Sequence, residues 1–188
     1  RPIMAMSASL VALALAPFAL AEAGKDAMPT SEEAAAKPVS FEHAVVKSNT
    51  ARITSKFGKR KDPFTKDSAW HKGTDIAAPE GTPVYTPSCG TVVFSGFKPA
   101  YGETIEIAFG DGSKMRFAQL ANRDVEVGDE VSVGTKIGSV GMTGRATGPH
   151  LHLEHWKKTV NEETGETEYQ PHDPMMAEGL VLFAGGSR

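Results

Sequence analysis

After Asn49 the chain alternates apolar and polar residues in short runs, which are separated by residues that favour turns. Alternation with a period of two is typical of strands that bury one face. Gly110-Asp111-Gly112 lies between two such runs and predicts a β-hairpin, because glycine tolerates positive φ. The pattern predicts an all-β fold with strands at residues 52–55, 74–77, 83–86, 91–95, 104–109, 113–118, 136–140 and 150–156.

The segments between these strands are polar and rich in turn residues. Residues 58–68 are predicted as a loop, residues 125–129 as a short strand and turn, and residues 157–170 as an exposed hairpin around Gly165. Nineteen glycines and twelve prolines also favour a turn-rich β architecture over a helical bundle.

Two segments with a different composition precede the strands. Residues 3–21 are uncharged, rich in Ala and Leu, and show no amphipathic period, so residues 1–21 are predicted as a signal peptide or a membrane anchor. The chain does not begin with Met, and the run is therefore also compatible with the last transmembrane helix of a longer precursor. Residues 22–40 carry almost no large apolar side chain and are predicted as a flexible tether. These interpretations place the following domain outside the cytoplasm, either periplasmic, secreted or anchored to a membrane.

The overall composition restricts the classes of function. A hydrophobic fraction of 40% in 188 residues is enough for the core of one domain. The net charge of −3 does not indicate the excess of basic residues that is typical of nucleic-acid-binding proteins, so nucleic acid is not an expected partner. The single Cys89 can form neither an internal disulfide nor a thiolate zinc cluster.

Two histidine motifs carry the candidate chemistry. His150 and His152 share one face of a predicted strand, and His71-x-x-x-Asp75 lies upstream. Each motif alone is also common on exposed surfaces. Together, His71, Asp75 and His152 offer two imidazoles and a carboxylate, which match a catalytic zinc site with three protein ligands and a fourth position for water.

Four segments of the chain form a more specific pattern: Phe57-Gly58-x-Arg60, His71-x-x-x-Asp75, Pro79-x-Gly81-Thr82-Pro83-Val84 and Gly144-Arg145-x-Thr147-Gly148-Pro149-His150-Leu151-His152-Leu153-Glu154. This pattern resembles the lysostaphin/LytM family of zinc metalloendopeptidases, and the resemblance runs from about residue 53 to residue 174. It implies a small antiparallel β-fold, barrel-sandwich-like and of the duplicated hybrid motif type, with an active-site groove. The domain would span residues 41–183, followed by a tail at residues 184–188. The implied activity is zinc-dependent hydrolysis of peptide bonds in the cross-bridges or stem peptides of bacterial peptidoglycan.

The resemblance also implies roles for individual residues. It assigns zinc ligation to His71, Asp75 and His152, and it makes His150 a histidine beside the zinc that handles protons without binding the ion. Glu154 shares the strand face of His152, and it either orients that imidazole or has a plain structural role. No role is implied for the remaining histidines, His43, His155 and His172.

Gln119 departs from the family pattern. It stands where the family has its second catalytic histidine, in the segment Arg116-Phe117-Ala118-Gln119-Leu120. An amide can form hydrogen bonds but cannot carry a proton at neutral pH, and positioned acid–base catalysis contributes roughly 10²–10⁴-fold. We therefore expect an attenuated zinc endopeptidase. The alternative is a non-catalytic peptidoglycan-binding or regulatory module of the same fold.

The apolar run and the polar tether predict the topology of the chain. A periplasmic reporter fused after Ser40 should be active, whereas a reporter that functions only in the cytoplasm should be inactive at the same position. Activity of the cytoplasmic reporter alone would contradict this topology.

Overall fold

The computed structural model describes residues 44–162 and 164–177. The predicted signal peptide or anchor, the tether and the tail lie outside these residues. Within the described residues, no helix is long and apolar enough to cross a membrane.

The described part of the chain is almost entirely β-structure, which confirms the predicted fold class. A single 3₁₀ turn at Pro174–Met176 follows the last strand. The twelve strands are β1 (Arg52–Ser55), β2 (Gly58–Lys61), β3 (Ser68–His71), β4 (Thr74–Ala77), β5 (Pro83–Tyr85), β6 (Gly90–Lys98), β7 (Gly102–Phe109), β8 (Lys114–Arg123), β9 (Glu130–Val131), β10 (Lys136–Val140), β11 (His150–Val160) and β12 (Thr167–His172).

Ten of these strands form one antiparallel sheet. Its main path follows the order β1-β4-β11-β8-β7-β6-β9, with β10 paired to β5 and β8, and β12 paired to β11. Strands β2 and β3 form a separate hairpin. The strands of the described region do not close into a barrel.

The centre of the sheet has one apolar face and one polar face. On β11, Leu151 and Leu153 are fully buried in the hydrophobic core, whereas His150, His152 and Glu154 lie on the opposite face, as the alternation of a strand requires. Fully burying a side chain such as leucine contributes roughly 1.5–3 kcal/mol. The apolar positions therefore fix which residues of β11 can face the polar side.

The structure differs from the sequence prediction in two polar segments. Residues 58–68 contain β2 and the start of β3 rather than only a loop, because β2 has the sequence Gly-Lys-Arg-Lys and lacks the alternation that would reveal a strand. Residues 125–129 form a loop and turn, and the short strand lies at Glu130–Val131. Val125 is buried in the loop without strand pairing, and its apolar side chain therefore led to the wrong prediction of a strand at this position.

His155 lies on the core face of β11 and is 2% exposed. Neither of its ring nitrogens has a hydrogen-bond partner among the described residues, and burial lowers its pKa below the ordinary value. The unfolded chain therefore binds more protons than the folded chain below about pH 6.5, the ordinary pKa of histidine. The fold is therefore more stable above that pH, and its stability decreases as the pH falls below it, because His155 is protonated more readily in the unfolded chain.

Replacing His155 should weaken this pH dependence. Between about pH 6.5 and 5.5, the free energy of unfolding of His155→Leu should fall less than that of the unsubstituted protein, by at most about 1.4 kcal/mol per pH unit. Denaturant titrations in the presence of a chelator measure the difference. The same substitution at the exposed Gln170 is the control, because His172 lies opposite His155 in the β11–β12 register and affects its pKa. Equal pH dependence in His155→Leu and the unsubstituted protein would contradict the prediction.

Candidate metal centre

Three side chains converge on the polar face of the sheet. His71 ends β3, Asp75 lies on β4, and His152 lies directly opposite Asp75 in the β4–β11 register. Gly73 forms the tight connection between β3 and β4, and a Cβ atom at this position would collide with the carbonyl oxygen of Leu153. Glycine therefore allows the backbone that carries His71 and Asp75 to approach β11.

The three donor atoms form a compact triangle. His71 Nε2 lies 3.2 Å from His152 Nδ1, and Asp75 Oδ1 lies 3.3 Å from His71 Nε2 and 2.8 Å from His152 Nδ1. In tetrahedral zinc sites with ligand distances of roughly 2.0–2.1 Å, two donors are separated by about 3.3 Å. The triangle therefore fits one face of such a tetrahedron, and these three residues could hold a zinc ion.

Two of these side chains are oriented by partners on the side away from the triangle. His71 Nδ1 lies 2.9 Å from the Lys56 carbonyl oxygen and donates to it, which leaves the lone pair of Nε2 inside. Asp75 Oδ2 accepts a hydrogen bond of 2.8 Å from Arg60 Nη1, which also donates to Ser55 Oγ. Burial raises the pKa of Asp75, but the imidazoles of His152 and His71 beside it outweigh this effect and hold the pKa well below its usual value. Asp75 is therefore an ionised carboxylate at neutral pH.

Glu154 orients the third side chain, His152. Its Oε1 lies 3.1 Å from His152 Nε2 and also accepts from the Tyr101 hydroxyl at 3.0 Å. Its Oε2 accepts from Arg116 Nη1 at 2.6 Å and Trp156 Nε1 at 2.8 Å. Burial raises the pKa of Glu154, but the hydrogen bond from His152 and the charge of Arg116 lower it overall. The fully buried Glu154 is thus an ionised acceptor for His152, and this geometry supports the first of the two roles considered for it.

His150 lies beside the triangle at the start of β11. Its Nδ1 is 2.8 Å from the Gly148 carbonyl oxygen, and its Nε2 is 3.7 Å from Asp75 Oδ1. Because Nδ1 donates to the carbonyl, the Nε2 lone pair is available to a molecule in the cavity next to the triangle. His150 can therefore exchange a proton without being part of the donor set.

A cavity of about 550 Å³ opens over His150, His152 and Asp75. Three connections supply half of the residues that line it: residues 62–67 between β2 and β3, residues 99–101 between β6 and β7, and residues 141–149 between β10 and β11. Arg145 donates two hydrogen bonds of 3.0 Å to Asp62 and lies 4.2 Å from the ring centroid of Phe64. This contact connects the first wall segment to the third.

Gln119 lies in the wall of the same cavity and is 4% exposed. Its Nε2 donates to the Ala100 carbonyl oxygen at 3.1 Å, and its Oε1 accepts from the Gly144 amide at 2.7 Å. Each polar atom of this side chain therefore has a backbone partner in a different wall segment.

The three histidines without an assigned role lie away from the site or outside the described residues. His43 precedes the described region, His172 is exposed, and His155 faces the core. Sequence reasoning gave no role to Arg60, Tyr101 and Arg116, which orient Asp75 or Glu154. Arg60 and Arg116 stand in segments that match the family pattern and could have been noticed, whereas Tyr101 carries no local signal.

Peptidase family M23 matches residues 69–165, just over half of the chain. The peptidoglycan DD-endopeptidase ShyA of Vibrio cholerae is 46% identical over 104 residues, which cover 55% of this chain and 24% of ShyA. A zinc-containing peptidase from Vibrio cholerae superposes with a TM-score of 0.59 at 34% identity, covering 75% of this chain and 41% of that one. The catalytic domain of the antimicrobial peptidase lysostaphin from Staphylococcus simulans gives a TM-score of 0.58 at 29% identity, covering 68% of this chain and 91% of that one. The chain thus spans about a quarter of the length of the first curated relatives it matches.

The geometry predicts different effects of substitutions at the two neighbouring histidines. We expect His152→Ala to lose stoichiometric zinc, because it removes a donor of the triangle, and His150→Ala to retain most of it. Metal content after gel filtration measures the difference, and His172→Ala is the control. A chelator should lower the melting temperature of the unsubstituted protein, because bound metal stabilises the folded state. Equal zinc loss in His150→Ala and His152→Ala would contradict the assignment of His152 as a zinc ligand and of His150 as a residue outside the donor set.

Proposed function

Because the chain belongs to peptidase family M23, we propose that it is a zinc metalloendopeptidase acting on peptide bonds in the cross-bridges or stem peptides of bacterial peptidoglycan. The observation that carries this proposal is the His71–Asp75–His152 triangle, in which every donor side chain has a partner that fixes its orientation. The peptidoglycan endopeptidase ShyA among the similar proteins supports the substrate class. Action on this substrate implies an extracytoplasmic location, in agreement with the signal peptide or anchor predicted at residues 1–21.

The proposed mechanism divides the work between the triangle and His150. A zinc ion held by the triangle would supply a Lewis acid that polarises the scissile carbonyl and lowers the pKa of water. His150 presents an unprotonated Nε2 to the cavity, so it can accept a proton from the attacking water and deliver it to the leaving amine. The Gly148 carbonyl keeps His150 in the tautomer that this proton transfer requires.

The absence of a second imidazole in the cavity wall favours a slow enzyme. Among the described residues that line the cavity, His150 is the only histidine outside the triangle. Gln119 cannot carry a proton, so the chain lacks part of the roughly 10²–10⁴-fold contribution of positioned acid–base catalysis. The same residue favours the alternative function, a non-catalytic peptidoglycan-binding or regulatory module. The complete donor triangle beneath an accessible cavity favours the enzyme, because a binding module has no need of it.

The decisive experiment measures release of muropeptides from intact peptidoglycan by the zinc-loaded full chain, followed by mass analysis of the products. The enzyme proposal predicts slow, zinc-dependent release. His150→Ala should reduce the rate by roughly 10²-fold or more, because it removes the proton carrier. His172→Ala is the matched control and should leave the rate unchanged.

Two outcomes would contradict the enzyme proposal. If the zinc-loaded protein sediments with peptidoglycan but releases nothing, the chain is a binding module. If release continues at the full rate in His150→Ala, the chemistry lies elsewhere in the chain.

A further inference from the structure

Two strained backbone positions meet in the cavity wall. Among the non-glycine residues described, only Lys66, Ala100 and Gln119 have positive φ, and Ala100 (67°) and Gln119 (63°) are hydrogen-bonded to each other. This region of φ is uncommon for alanine and glutamine, and it persists only where the surrounding contacts require it. Strain at two residues that are in contact therefore indicates that the surrounding structure maintains the contact between Ala100 and Gln119.

Gln119 bridges two wall segments that are far apart in the chain. Its side chain joins the Ala100 carbonyl, between β6 and β7, to the Gly144 amide, between β10 and β11. Its own backbone N–H donates to the Tyr101 carbonyl oxygen at 2.8 Å. Three hydrogen bonds thus connect one buried residue of β8 to both segments.

The two wall segments also touch each other directly. The Arg145 N–H donates to the Ala100 carbonyl oxygen at 2.8 Å. A Cβ atom at Gly102 would collide with Thr143 and the Gly144 amide, and one at Gly144 would collide with the Ala100 carbonyl oxygen. At these positions the two backbones lie so close together that a side chain larger than glycine would not fit. The side-chain amide of Gln119 hydrogen-bonds to both segments at this point.

We propose that Gln119 is a positioning residue, a clamp that fixes residues 99–101 against residues 141–149 and so sets the wall against which a substrate lies. Both segments supply cavity residues, Ala100 and Tyr101 from the first and residues 145–149 from the second. His150 is paired with Ala77 of β4, so the sheet fixes its backbone, although the Gly148 carbonyl that accepts from its Nδ1 belongs to the second segment. Loss of the clamp should therefore affect substrate binding more than the chemical step. This kinetic consequence rests on the proposed peptidase function, whereas the clamp itself does not.

A catalytic role for Gln119 would require an amide atom directed at the reacting atoms. In the structure the amide oxygen faces the Gly144 N–H, and the amide nitrogen faces the Ala100 carbonyl. The clamp accounts for both contacts and for the positive φ of Gln119.

Amide hydrogen exchange of Gly144, followed by NMR on the full chain, tests the clamp without any substrate. In Gln119→Asn the side chain tolerates positive φ but is one methylene too short to span both segments. We expect exchange of the Gly144 amide to be at least about 10-fold faster in this variant, because its acceptor is lost. Gln119→Met, which keeps the length and removes both hydrogen bonds, should have the same effect. Gln170→Met, at the chain's other glutamine, which is exposed on β12, should change nothing.

Steady-state kinetics on a soluble cross-linked muropeptide test the consequence. In Gln119→Asn we expect KM to rise roughly 5- to 50-fold, kcat to change less than about 3-fold, and the pH profile of kcat to stay the same. Unchanged Gly144 exchange in both Gln119 variants would overturn the clamp. A kcat loss of about 100-fold at unchanged KM would also overturn it, because Gln119 would then act on the reacting atoms. If the unsubstituted protein shows no turnover, the proposed function fails, and the exchange measurement still decides the clamp.

Discussion

The antiparallel register between β4 and β11 is the constraint on which the candidate site depends. It sets Asp75 opposite His152, and the neighbouring pair of Ile76 and Leu151 is fully buried on the other face. A slip of one residue would move the two donors into the core and expose the leucine and isoleucine side chains. The hydrophobic core on one face therefore holds the metal-binding geometry on the other.

A polar face at the centre of a sheet needs its own stabilisation. Glu154 is fully buried there, and the ionised carboxylate is tolerated because four donors surround it. Arg116 continues the network, since its Nε donates to Glu106, which also pairs with Lys98. Removing one member would leave a buried charge without its partner, so the network fixes the orientation of His152 as one unit.

Polar contacts hold together the loops that form the walls of the cavity, whereas apolar packing stabilises the core on the other face of the sheet. Arg145 holds the segment between β10 and β11 to Asp62, and Gln119 holds the same segment to Ala100. The Arg145–Asp62 pair is partly exposed and contributes little to stability, so its main effect is on the position of the wall. The segment that carries Gly148 and Pro149 thus has fixed neighbours on both sides of the cavity.

The sequence alone determined the all-β class and most strand positions, because strand alternation is a local property. The donor set on the polar face was predicted from the ligand chemistry of two histidine motifs and from the family resemblance. The sequence did not reveal β2, whose residues are all polar or glycine, and it misplaced the short strand near Val125. Only the tertiary structure showed that Arg60 orients Asp75 and that the Gln119 amide connects Ala100 to Gly144. Such contacts join residues 15 to 25 positions apart. They depend on how the strands and their connections pack, which no local pattern of residues encodes.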